Sequence, residues 1–198
     1  MSTLSMLLEQ LTGDSLGPLS RQLGADRSST QAALGAALPL LFQGLARNAS
    51  KPDGAASLHR ALERDHDGNL LDDLGGFLRQ PKTDDGNGIL GHVLGDRRGP
   101  VEQGIAKSSG LDASKVTQLL TMVAPLVMGA LGRQQRQGRL DQGGLADLLG
   151  REQRKATEAA PELGGLARLL DADNDGSIAD DLAGLGKGLL GSLLGGRR

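Results

Sequence analysis

Apolar residues recur along this chain at helical spacing. Leu4, Leu7, Leu8 and Leu11 form an i, i+3, i+4, i+7 stripe and predict a helix over 2–11. Thr12-Gly13-Asp14 ends it. A second short helix follows over 16–23, closed by Gly24. Ala32, Leu34, Leu38, Leu41 and Leu45 predict a longer one over 28–47, capped by Asp26 or Ser28 and expected to kink at Pro39. A loop over 48–54 leads to helices over 55–64 and 70–80. Residues 81–88 are polar and contain glycine, the composition of a linker. Short helical runs follow at 89–94 and 101–107. Val116, Leu119, Leu120, Val123, Leu126, Val127 and Leu131 then predict a long helix over 112–134 with Pro125 inside it. The stretch 134–144 is polar and is expected to be mobile. Helices over 145–149, 152–170 and 178–194 complete the chain, with Pro161 bounding part of the second. No segment alternates with period two for long, so the expected fold class is all-α.

The pattern repeats. Gly24-Ala-Asp-Arg-Ser28 resembles Gly110-Leu-Asp-Ala-Ser114, and Leu38-Pro-Leu-Leu41 resembles Ala124-Pro-Leu-Val127. Leu45-Ala-Arg47 pairs with Leu131-Gly-Arg133. The offset is constant at 86 residues (110 − 24 and 125 − 39). The acidic runs described below keep the same order at an offset of 108 (176 − 68), the polar 134–144 stretch supplying extra length. An internally duplicated bundle of short helices is expected, with a first repeat over 1–80 and a second over 81–198, the two standing apart or fused as one domain.

Composition narrows the function classes. Of 198 residues, 38% are hydrophobic, mostly Leu and Ala, enough for a helical core. The aromatics are Phe42 and Phe77, so platforms for stacking sugars or bases are missing. Net charge is -2 without a basic stripe, which argues against nucleic acid as a partner. There is no cysteine, hence no disulfide or thiolate chemistry. The 31 glycines each cost about 1 kcal/mol inside a helix relative to Ala, so they should mark caps and close contacts. The first residues lack a basic head and an apolar run, and no segment approaches the roughly 18 apolar residues of a membrane span. A cytoplasmic location is expected, with export by a non-classical route as the alternative.

The pointed chemistry lies in two acidic runs. In the second, Asp171, Asp173 and Asp175 fall at places one, three and five of a calcium loop. Gly176 is sixth and Ser177 seventh, where it would offer its carbonyl. Place twelve, which normally carries Glu, is Leu182. Asp180 is the better closing ligand, with Asp181 next, so the loop is EF-hand-like rather than a full EF-hand. The first run offers Glu63, Asp65, Asp67, Asn69, Asp72 and Asp73 around Gly68. A long Glu at the first place makes it the weaker site. The competing explanation is helix capping, for which one or two acids suffice. Five carboxylates within 171–181 repel one another, and a divalent cation would relieve this. Calcium is therefore the expected ion, at the second loop more than the first. Magnesium suits so many protein carboxylates less well.

Other chemistry has little support. His59, His66 and His92 form no i, i+4 pair, and without cysteine a zinc site is not expected. His66 alternates outward from the ligand places, and His92 is expected to pack or cap. There is no phosphate loop, so no enzyme is expected. The tail 182–198 places Gly184, Gly188, Gly191 and Gly195 beside leucines and ends in Arg197-Arg198. It could serve as a homo-oligomer contact or a membrane-surface helix, though the simplest use is to cover the protein's own core.

One family resemblance stands on these residues. Gly110-Leu-Asp-x-Ser, the later Pro125-Leu126, the run Ile89-Leu-Gly-His-Val-Leu-Gly95 and the Leu/Gly-rich tail resemble the YidB-like family. The resemblance covers most of the chain and is most specific over 89–133. It implies a helical bacterial protein of unknown function and carries over no catalytic residue. The expected function is a non-enzymatic calcium-binding helical protein with a structural or sensory role. The alternative is a self-associating structural protein whose acidic loops only cap helices.

Overall fold

The computed structural model describes residues 2–159. The second acidic loop, the tail, Pro161 and the helix expected over 178–194 lie outside the described residues. The helices in order are α1 (Thr3–Thr12), α2 (Leu16–Leu23), α3 (Arg27–Ala49), α4 (Pro52–Arg64), α5 (Leu74–Arg79), α6 (Thr83–Leu94), α7 (Arg98–Ser109), α8 (Ala113–Gly138) and α9 (Gln142–Ala159). Single 3-10 turns precede α5 (Asn69–Leu71) and α7 (Gly95–Arg97). No strand occurs among the described residues, and the fold is all-α.

Local sequence sets several of the ends. Ser2 opens α1 by accepting a hydrogen bond from the Ser5 N–H, and Asp26 opens α3 by accepting from the Ser29 N–H at 2.8 Å. Gly24 and Gly110, at φ 57 and 73, take the left-handed turn that ends α2 and α7.

α3 and α8 form the centre. α3 packs against α7 and α9 as well as its neighbours α1, α2 and α4. α8 packs against α6, α7, α4 and the 3-10 turn at 69–71. One apolar cluster runs from Leu4 to Ala156 and takes residues from both sides of residue 80. Leu34, Leu38 and Phe42 of α3 and Leu119, Leu120, Leu126 and Leu131 of α8 are fully enclosed. Burial stabilises by about 1.5–3 kcal/mol for each such side chain. The order of helix, helix, long proline-containing helix, helix occurs twice, as α1–α4 and as α6–α9.

Several boundaries differ from the sequence expectation. The loop over 48–54 shrinks to Ser50 and Lys51, because Pro52 takes the first position of α4, where its missing N–H costs nothing. The linker over 81–88 is mostly the first half of α6. Asp84 and Asp85 favour its positive N-terminal end. The expected helix over 70–80 is interrupted at Asp72 and Asp73, which separate the 3-10 turn from α5. The polar stretch 134–144 holds only a short turn. α8 runs on to Gly138, Arg139 turns left-handed at φ 47, and α9 begins at Gln142, joining the expected 145–149 to the described part of the helix expected over 152–170. α3 and α8 run through Pro39 and Pro125 as continuous helices.

α8 also corrects the membrane expectation. It is the one helix among the described residues long and apolar enough to cross a membrane, yet 83% of that apolar stretch is buried inside the protein. Its apolar character is accounted for by the core. Pro125 supplies no N–H to the Thr121 carbonyl four residues back. Gly86 of α6 lies against that same oxygen, so closely that a methyl group would overlap it.

Candidate functional site

The first acidic run joins α4 to α5 and lies against the C-terminal half of α8. Exposure alternates along it. Asp65, Asp67 and Asn69 face solvent, whereas His66 and Gly68 are buried. The buried pair makes the contact with α8. Gly132 sits directly under the His66 carbonyl, and a methyl group on Gly132 would overlap that oxygen. Gly68, at φ 84, presents its bare Cα to α8, where a Cβ would come within 2.8 Å of the Gly129 carbonyl oxygen. Glycines on both sides let the two backbones meet.

Two arginines on the same side of α8 lock this contact. The Arg133 guanidinium donates at 2.6 Å to the Gly68 carbonyl and at 2.6 Å to an Asp72 carboxylate oxygen. Arg136, three residues on and so on the same helix face, donates to the His66 carbonyl at 3.3 Å. The loop's backbone is thereby held by cations of the chain itself.

Each carboxylate of the run has its own occupation. Glu63 is still on α4, 3.5 Å from the His59 ring. The other ring nitrogen of His59 lies 3.2 Å from the Leu140 carbonyl in the α8–α9 turn. Asp65 faces the Arg64 guanidinium at 2.8 Å, and hydrogen bonds from that guanidinium hold its carboxyl below the usual range. Asp67 accepts from the Asn69 N–H at 3.0 Å and from the Asn69 side-chain amide, a local turn. Asp72 pairs with Arg133. Asp73 caps α5 through the Gly76 N–H at 2.8 Å. The loop brings these side chains near one another in sequence but turns them to separate partners. No group of three or more His, Asp or Glu among the described residues is gathered as a metal would require. Asp72 also borders a cleft of about 390 Å³ with Glu9 and Asp14, between the α1–α2 turn and α5.

Two of the histidines fall differently from expectation, His66 and His92, the latter neither packed nor capping. His66, expected to point outward, is buried. His92 is exposed, its ring 2.9 Å from the Gly88 carbonyl of its own helix, while its backbone carbonyl accepts from Asn48 at 2.7 Å.

Sequence reasoning overlooked three groups. Arg133 and Arg136 were visible as a basic i, i+3 pair at the end of an apolar helix, but nothing local names their target. Glu152 of α9 is 3% exposed and accepts from the Thr3 and Leu4 N–H groups at 3.1 and 3.0 Å. It caps α1 across 149 residues of sequence.

The fold and loop define an all-α bundle with an acidic inter-helix loop fastened to its longest helix. The chain belongs to a family of bacterial proteins of unknown function (DUF937), which it matches over residues 5–134. That span includes the first acidic loop and Arg133 and stops short of the second loop. No curated protein and no solved structure matches the chain. The family supports the bacterial, unknown-function part of the YidB-like resemblance.

Proposed function

We propose that this is a non-enzymatic helical protein in which the two acidic loops have divided roles. The first, 63–73, is an ion-independent clip that fastens α4 and α5 to α8. The second, 171–181, is an EF-hand-like calcium loop that adds a cation-responsive element to the same chain. One observation carries the division: Arg133 bridges the Gly68 carbonyl and Asp72, placing a cation of the chain itself on the first loop. Asp65, Asp67 and Asp73 are likewise satisfied by Arg64, Asn69 and the α5 N-terminus. For the second loop the support is the alternation of Asp171, Asp173 and Asp175 with Asp180 and Asp181 behind Gly176.

Self-association is the competing role. It draws on the Gly/Leu tail, which lies outside the described residues. Among those residues Met6 is the only large apolar side chain that is exposed, at 43%, which favours a bundle that covers its own core.

Melting the chelator-treated chain with and without calcium tests the reading. The melting temperature rises with calcium in the parent and is unchanged in an Asp173→Ala/Asp175→Ala variant. Equal melting of the parent in both conditions sinks the calcium role. Light scattering after size exclusion decides the competing role, since a monomer under both conditions removes it.

A further inference from the structure

Positive charge gathers, unneutralised, where α2 turns into α3. The Arg21 and Arg27 guanidiniums converge over Gly17, lying 3.7 and 3.8 Å from where a Cβ on that residue would stand. Neither forms an ion pair among the described residues. Lys115 of α8 adds a third cation at the rim, donating to the Gly24 carbonyl at 2.8 Å. The one carboxylate there, Asp26, is engaged by the Ser28 hydroxyl and the Ser29 N–H. Three cations therefore stand around one occupied anion.

Arg21, Arg27 and Asp26 line an open groove of about 450 Å³, and Lys115 stands beside it. Ser20 lines it too. That residue is only 4% exposed, and its hydroxyl has no hydrogen-bond partner among the described residues. A buried hydroxyl without a partner is uncommon and calls for an explanation. The groove also meets the start of α3. There Asp26 takes the Ser29 and Thr30 N–H groups, leaving those of Arg27 and Ser28 for an outside acceptor.

We propose that this elbow binds a small tetrahedral oxyanion of the phosphate class. Two guanidinium forks suit such an anion, and the positive end of α3 favours its charge. The anion also removes the repulsion between Arg21 and Arg27, which share one face of the elbow. It is independent of the calcium reading, because none of its residues belongs to either acidic loop.

The test uses the full chain and inorganic phosphate, followed by amide NMR at constant ionic strength with chloride as the reference anion. The Gly24, Arg27 and Ser28 signals shift saturably with phosphate. An Arg21→Gln/Arg27→Gln variant, altered at two exposed side chains and checked for parental helicity, binds about tenfold more weakly or worse. No saturable shift in the parent, or the same affinity in parent and variant, overturns the proposal. Cosedimentation with phosphatidylcholine vesicles containing phosphatidic acid then separates the sources. Variant-sensitive binding assigns the site to a lipid headgroup. Phosphate shifts without vesicle binding assign it to a free anion.

Discussion

Helices α3 and α8 follow one plan and do different work. Each starts behind a left-handed glycine and an aspartate, each contains a proline, and each lies at the centre of the core. At the start the difference favours α3. Asp26 accepts from the Ser29 N–H, whereas the Asp112 side chain makes no capping bond. Further along it favours α8. Gly132 and Arg133 receive the acidic loop, while the positions 86 residues earlier in α3 are Ala46 and Arg47 (132 − 46 and 133 − 47). Ala46 is buried with its methyl group accommodated. The apolar stripe therefore places a helix in the core. Its particular duty is decided where its backbone meets a neighbour, by as little as one methyl group or one carboxylate.

The largest effect should come from erasing that methyl difference. Gly132→Ala pushes a methyl group into the His66 carbonyl, so two backbones must part, at a cost of about 3 kcal/mol in urea unfolding. The reciprocal Ala46→Gly costs about 1 kcal/mol. Equal losses would mean that close approach at Gly132 does not distinguish the helices.

Glu152 sharpens the comparison from the α3 side, since α9 packs on α3. Glu152→Ala leaves two buried N–H groups of α1 without their side-chain acceptor and should cost about 2–3 kcal/mol by the same measurement. Arg133→Gln removes a hydrogen bond to a carbonyl and an exposed ion pair. It should cost about 1 kcal/mol, with proteolysis near Gly68 speeding up as the loop loosens.

The smallest effect concerns the caps. Asp26→Ala should lower the melting temperature more than Asp112→Ala at neutral pH. The Ser28 hydroxyl and the Ser29 N–H hold the Asp26 carboxyl well below the usual range. Its contribution is therefore complete above the ordinary aspartate value of about 3.9 and fades as pH falls below it. The gap between the two variants should close in acid melts.

The long helices, a cap at Asp26 or Ser28 and the turn at Gly24 were legible because their signals are local. So was the crowding of acids at 63–73. What those acids do was not legible, because their partners lie far away or depend on how the loop turns. Arg133 is 61 residues from Asp72, and Glu152 is 149 from Thr3. Gly86 looked like a linker glycine, since nothing beside it reveals that it faces the Thr121 carbonyl. Pro52 and the Asp84-Asp85 pair were readable start signals that the surrounding polar composition outweighed.

The division of labour between the loops is tested most directly by calorimetric titration of the chelator-treated chain with calcium. Two variants run beside the parent, Asp65→Asn/Asp67→Asn and Asp173→Ala/Asp175→Ala. The account predicts heat from the parent that persists in the first variant and vanishes in the second. Heat lost in the first variant, or no heat from the parent at all, would contradict it.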